Sequence, residues 1–198
     1  MCRLLETIKI NHGKMLNINL HNERFNRSRL ELFGINEHIN LETKINFQRN
    51  TINGISKCRI VYSKFIEQID IIPYQFRRIG SLKIIENNEI QYSYKYSNRS
   101  FINRLFALRE KCDDILIINK GKVTDTSYCN IVFSDGEKLL TSSTPLLKGI
   151  KREQLLNEGI ILEEEIKKQD IHLFKKAFLI NAMIDLDDKM EIPTDKIF

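Results

Sequence analysis

The chain contains no tryptophan, only three prolines, and eight glycines in 198 residues. With so few breakers there is no Pro/Gly-rich linker, and no repeat or low-complexity tract interrupts the chain. Its cysteines, Cys2, Cys58, Cys112 and Cys129, stand apart with no Cys-x-x-Cys pair. That excludes a zinc ribbon or a disulfide framework and implies free thiols in a reducing cytosol. No apolar run reaches membrane-spanning length. The start, Met1-Cys-Arg-Leu-Leu-Glu6, lacks the basic flank and apolar core of a secretory signal. A cytoplasmic protein without a membrane partner is therefore expected. His12, His21, His38 and His172 show no metal-ligand spacing, so no metal is expected. The net charge of +5 is scattered, with Arg77-Arg78, Lys151-Arg152, Lys167-Lys168 and Lys175-Lys176 as the only tight pairs. Without an RNA-binding signature, nucleic acid is not expected as the main partner.

A hydrophobic share of 42% suits one compact unit or two small lobes. Leu4–Ile10 alternates as a half-buried strand, Asn11–Lys14 turns, and Met15–Ile18 reads as a return arm. His21–Phe33 is helical in character and Gly34 stops it. A helix is weakly indicated over Leu41–Phe47, with a loop at Asn53-Gly54. Lys57–Ser63 and Ile66–Ile72 are strands, the second closed by Pro73. Gly80 marks the expected lobe boundary. Leu82–Ile85 is a strand, Asn87-Asn88 a turn, and Tyr92–Lys95 extended. Ser100 is placed to cap a helix with Phe101, Leu105 and Leu108 on one face. Ile115–Ile118 is a buried strand turned back by Lys120-Gly121. Asp135-Gly136 joins Asn130–Phe133 to Lys138–Thr141 as a hairpin. A helix over Lys151–Asn157 stops at Gly159, and Ile160–Ile166 and Ala177–Ile180 are strands.

Three stretches carry chemistry when taken together: Tyr92-Ser-Tyr-Lys95-Tyr-Ser-Asn98-Arg99-Ser100, Val123-Thr-Asp125-Thr126-Ser127-Tyr-Cys-Asn130-Ile, and Thr144-Pro-Leu-Leu-Lys-Gly149-Ile150-Lys151-Arg152. In order and spacing they resemble the class IV aminotransferases, the pyridoxal-phosphate enzymes of fold type IV. The resemblance covers nearly the whole chain. It implies an α+β fold with a small N-terminal α/β lobe, residues 1–79, and a larger barrel-like lobe, residues 80–198, that binds pyridoxal 5'-phosphate. It also implies a homodimer.

The resemblance assigns roles residue by residue. Lys95, Asn98 and Arg99 match the family's Lys-x-x-Asn-Arg, so Lys95 is the expected Schiff-base lysine, whose neutral amine attacks a carbonyl. Asp125 matches the acid that keeps the pyridine nitrogen protonated; the family generally has Glu there, one methylene longer. Ile150 and Lys151 open a helix whose amides match the phosphate cup. Arg24, in His21-Asn-Glu-Arg24, resembles the family's phosphate-reaching arginine, and Asn181 falls where the family has a late hydroxyl or amide at the phosphate. Glu6-Thr7 resembles the family's Phe-Glu-Thr, and Thr7 and Arg59 are weaker candidates to meet a substrate carboxylate. Relatives carry a further segment, with an Asp-Arg-Gly loop, before the first matched strand; part of the pocket wall or dimer surface is therefore expected to be missing or supplied otherwise.

Asn181-Ala182-Met183 is more similar to the aminodeoxychorismate lyases. The activity expected from the resemblance is conversion of 4-amino-4-deoxychorismate to p-aminobenzoate and pyruvate, a folate-precursor step. A branched-chain or D-amino acid aminotransferase is the alternative within the family. A non-catalytic or nucleic-acid-binding relative is the alternative from another class.

Overall fold

The computed structural model describes residues 2–48 and 53–198. The chain forms two compact units: Met1–Phe76 with Tyr94–Asn98, and Arg77–Ser93 with Arg99–Phe198. The division falls just before the Gly80 position indicated by the sequence, and the segment bearing Lys95 returns to the first unit. No helix among the described residues is long and apolar enough to cross a membrane.

The first unit is an antiparallel sheet carrying one helix. Strand β1, Leu4–Asn11, turns at His12 and Gly13, both with positive φ as a tight hairpin requires. The return arm β2 is only Lys14–Met15, not the expected Met15–Ile18. Asn17 takes a left-handed conformation and helix α1 starts at Ile18, running to Phe33. Gly34 ends it in the left-handed region, its amide bonded to Leu30 O. The expected helix over Leu41–Phe47 reduces to one 3-10 turn, Leu41–Thr43, whose start is capped by the Asn40 side chain accepting from Glu42 N at 3.0 Å.

Strands β3, Ile55–Tyr62, and β4, Ile66–Pro73, complete the order β2-β1-β3-β4. Strand alternation sends Leu4, Ile8, Ile10, Cys58, Ile60 and Tyr62 to one face, where they form a core with Phe25 of α1. Burying each large side chain there stabilises by about 1.5–3 kcal/mol. Arg29 is wholly buried and ties α1 to its surrounding loops, donating to Glu37 O at 2.7 Å and Lys64 O at 3.1 Å. Tyr92–Lys95 is not a strand: Lys95 O accepts from Leu5 N at 2.8 Å and Tyr96 makes a single bridge to Leu4.

The second unit is a branched sheet. Its strands are β5, Leu82–Glu86; β6, Asp114–Asn119; β7, Lys122–Thr126; β8, Asn130–Ser134; β9, Leu139–Ser142; β10, Leu162–Glu164; β11, Lys176–Ile180; and β12, Glu191–Pro193. The path β10-β9-β8-β7-β6-β5 branches where β11 pairs with β8 and β12. Pairs β5–β6 and β9–β10 are parallel. Parallel neighbours need crossovers, and helices α2, Ser100–Ala107, and α3, Ile150–Asn157, lie in those two connections. Phe198 runs back along β5, exchanging backbone bonds with Leu82 and Ile84.

Three local readings are corrected. Ser100 is the first residue of α2 and not its cap; Arg99 holds the cap position without a side-chain bond. The inward face of α2 is Ile102 and Leu105, while Phe101 and Leu108 stay exposed. The strand expected over Ile160–Ile166 shortens to β10. The turn at Lys120-Gly121, with both φ positive, and the buried run Ile115–Ile118 are as the sequence indicates.

Candidate active site

The residues singled out by sequence divide between the units. Lys95, Arg24, Thr7 and Arg59 belong to the first; Asp125, Ile150, Lys151 and Asn181 belong to the second.

In the first unit, Arg24 of α1 faces Glu6 of β1 inside the protein. Its Nε and Nη2 donate to the two carboxylate oxygens at 2.8 and 2.7 Å. His21 Nδ1 lies 2.6 Å from Glu6 Oε2, and since an ionised carboxylate only accepts, this nitrogen carries the proton. All three side chains are buried. Burial by itself pushes the Glu6 carboxyl up, but the Arg24 charge and the hydrogen bonds from His21 and Arg24 hold it down at about 2. Burial lowers His21, outweighing the pull of Glu6, and the Arg24 and Lys95 charges act in the same direction as burial. At neutral pH the cluster is thus a carboxylate, a guanidinium and a neutral imidazole within the field of Lys95. Thr7 and Arg59 lie in register on the opposite sheet face. Arg59 Nη1 stands 3.9 Å from Asp70 Oδ2.

In the second unit, Asp125 near the end of β7 is buried and doubly held. Asn130 Nδ2 donates to Oδ1 at 2.7 Å, and Leu147 N donates to Oδ2 at 2.9 Å. The same Asn130 amide donates to Leu147 O at 2.9 Å, closing a three-cornered clasp. Burial raises Asp125 to about 6, opposed by the Leu147 amide, Asn130 and the Arg152 charge; it is ionised at neutral pH. Gly149 follows the clasp. A Cβ there would lie 2.0 Å from Asn130 Oδ1, so only glycine lets the chain pass Asn130 into α3. Helix α3 then presents the amides of Ile150 and Lys151, in its first turn, where backbone donors lack intrahelical partners. The Lys151 side chain bonds Asp185 and Gln154, leaving its backbone as the relevant group. Arg152 bonds Ser142 O at 2.8 Å and Glu163. Asn181 closes its own turn, accepting from Met183 N at 2.8 Å and Ile184 N at 3.1 Å, with Nδ2 at 3.1 Å from Cys129 Sγ.

Asn130 and Leu147 were given no role by the sequence, and Glu6, His21 and Gly149 entered only as members of motifs. Asn130 stood inside a quoted motif, but nothing in the chain showed that its amide would join two segments.

Each unit holds groups whose chemistry suits pyridoxal phosphate: the first a primary amine at Lys95 and a buried guanidinium at Arg24, the second a buried acid at Asp125 and helix-terminal amides at Ile150 and Lys151. The amino-transferase class IV family model matches residues 3–186. An uncharacterized protein of Haemophilus influenzae is 43% identical over 185 residues, covering 92% of this chain and 98% of that protein. A crystal structure of a candidate 4-amino-4-deoxychorismate lyase from Haemophilus somnus superposes with a TM-score of 0.84 at 33% identity, covering 92% of this chain and 97% of that one. A hypothetical aminotransferase from Mycobacterium tuberculosis in its pyridoxal-phosphate-bound form shares the fold, with a TM-score of 0.74 at 16% identity over 91% of this chain and 78% of that one. The chain belongs to the class IV aminotransferase family, whose members are pyridoxal-phosphate-dependent enzymes.

Two predictions follow from the buried groups. Because the Glu6 carboxyl is depressed from 4.5 to about 2, its contribution is present above pH 4.5 and is lost as pH falls toward 2. By linkage it is on the order of 3 kcal/mol. The difference in urea unfolding free energy between wild type and Glu6→Gln should therefore be largest at pH 7 and shrink by pH 3. A difference independent of pH would show that the Glu6 charge is not what stabilises the cluster. In Gly149→Ala, the clash with Asn130 should open the clasp, lowering the melting midpoint of the cofactor-free protein by several degrees, the size expected for an overpacked site of about 1–3 kcal/mol. An unchanged midpoint would mean that Asn130 yields freely.

Proposed function

We propose that this protein is a pyridoxal-phosphate-dependent 4-amino-4-deoxychorismate lyase, releasing p-aminobenzoate and pyruvate. The observation that carries the reading is the similarity to the Haemophilus somnus candidate lyase over nearly the full length of both chains. Asn181-Ala182-Met183, resembling the lyases at that position, supports it.

The bound cofactor would supply an electrophilic aldehyde and a ring that accepts carbanion electrons. Lys95 would hold the cofactor through its amine, and the same amine would serve as the base that takes the proton from the substrate α-carbon. Asp125, ionised at neutral pH, keeps the proton on the pyridine nitrogen. That function weakens as pH falls through about 6 and the carboxylate is protonated. Arg24 and the Ile150 and Lys151 amides hold the phosphate, which needs several donors at once; Asn181 supports the same end. Glu6 fixes Arg24 from behind by a two-point fork, and Thr7 and Arg59 meet a substrate carboxylate. The enzyme acts as a cytoplasmic homodimer. A transaminase must seat two different acids in succession, whereas the lyase needs one substrate orientation, and aromatisation drives its elimination.

Two measurements test the proposal. Borohydride treatment of the purified protein should leave a pyridoxyl adduct on the Lys95 peptide; a reproducible adduct on another lysine would refute the Lys95 assignment. Incubation with enzymatically generated aminodeoxychorismate should release p-aminobenzoate. Amino transfer from L- or D-amino acids to 2-oxoglutarate or pyruvate, with no p-aminobenzoate, would replace the lyase reading by the aminotransferase one.

A further inference from the structure

Arg99 closes the Lys-x-x-Asn-Arg stretch, yet no step of the proposed chemistry uses it. It holds the cap position of α2 without a side-chain cap bond. Its guanidinium turns instead to the turn between β7 and β8, where Nη2 donates to Ser127 O. Nε of the same group is buried and meets no hydrogen-bond partner among the described residues.

A buried acid meets the same turn from β6. Asp114 opens that strand and is wholly buried. The antiparallel register of β6 and β7, with Leu116 opposite Thr126, brings the end of β7 alongside Asp114. Ile115 N donates to Asp114 Oδ1 at 2.8 Å. Burial raises the Asp114 carboxyl; the Ser127 hydroxyl opposes it first, then the Ile115 amide, the Thr126 hydroxyl and the Ser127 amide. The opposition is incomplete, since Oδ2 is buried without a hydrogen-bond partner among the described residues. A buried donor on a cation and a buried acceptor on an anion, each unpaired, cost stability. Folding alone favours joining them or replacing both by neutral groups. Both act on Ser127 instead, the cation at its carbonyl and the acid at its hydroxyl and amide.

We propose that Asp114 and Arg99 are positioning residues for the Asp125 carboxylate, acting together through Ser127. Ser127 is the second residue after Asp125, in a turn whose base is the paired Asp125 and Asn130. Within that turn Thr126 N bonds Cys129 O at 2.9 Å and Cys129 N bonds Thr126 Oγ1 at 3.0 Å. The turn therefore moves as a unit, and a shift of Ser127 is passed on to Asp125. Asn130 and Leu147 hold the carboxylate itself; the grip on Ser127 holds the backbone that bears it. The inference rests on one reading, that Asp125 meets the ring nitrogen of the cofactor.

The test titrates the full-length, cofactor-stripped chain with pyridoxal phosphate and with its 1-deaza analogue, which differs only in carrying a carbon in place of the ring nitrogen. The ratio of the two affinities reads the Asp125 contact and nothing else. Wild type should prefer pyridoxal phosphate by about tenfold or more, the worth of one charge-assisted bond, and Asp125→Ala should abolish the preference. Asp114→Asn keeps the shape and drops the charge; Arg99→Lys keeps the charge and drops the planar fork. Each should cut the preference by about threefold or more, a part of that one bond. Ser127→Ala removes the hydroxyl that Asp114 meets and serves the same test if Asp114→Asn does not fold. The double variant Asp114→Asn with Arg99→Lys should lose no more than the more affected single one, because both act at one residue. A merely structural role would lower both affinities and the melting midpoint together. A ratio left at the wild-type value would thus overturn the inference, and losses that multiply in the double variant would overturn the joint action through Ser127. A preference kept in Asp125→Ala would remove the ring-nitrogen reading of Asp125, and the inference with it.

Discussion

The second unit depends on one amide. Asn130 has two side-chain N–H donors, and both are committed: one to Asp125 Oδ1 and one to Leu147 O. Leu147 answers with its own N–H to Asp125 Oδ2. A strand end, the start of the next strand and the loop leading into α3 are thereby locked together at a buried point. The acid and the helix amides at Ile150 and Lys151 cannot shift independently while the clasp holds. Gly149 is part of the same constraint, since any side chain there would enter the space that Asn130 fills. Buried polar groups of this kind specify one arrangement because leaving any of them unpaired is costly.

Glu6 and Asp125 are both buried carboxylates, yet their environments drive them apart. Glu6 receives a guanidinium through two bonds and an imidazole through a third, and ends near 2. Asp125 receives two neutral amide donors, with the Arg152 charge as a smaller influence, and ends near 6. The first is a permanent anion whose role is to hold a cation. The second lies far closer to neutral pH, where burial without a directly bonded cation leaves a carboxylate. The contrast is set by the charge of the bonded partners, since both carboxylates are equally buried.

Much of this was legible where the determining forces are local. The alternation of β1, the apolar run Ile115–Ile118, the Lys120-Gly121 turn and the Gly34 and Gly159 stops are set by residues within a few positions. The parallel pairs β5–β6 and β9–β10 were not legible, because their partners are remote in sequence and only tertiary packing selects them. The short return arm was hidden by Asn17, whose left-handed backbone starts α1 early. The partners of Glu6 were equally hidden: alternation places it on the face of Leu4, Ile8 and Ile10, but the groups that close on it come from fifteen and eighteen residues away. The motif residues were visible as a set. The side chains that position them were not, because positioning is done by contacts between segments.

The shorter acid at position 125 becomes intelligible in this light. Relative to the family's glutamate, aspartate brings its carboxylate one bond closer to the backbone of β7. There it meets both the Leu147 amide and the Asn130 side chain, which bond its two oxygens separately. A glutamate at the same backbone position would carry its oxygens beyond this pair of donors, unless the loop from Thr144 to Gly149 moved outward with them. The loop cannot move far, because Asn130 binds Leu147 O as well and Gly149 already passes Asn130 with no room for a Cβ. The length of the acid, the absence of a side chain at Gly149 and the reach of Asn130 are therefore one coupled choice.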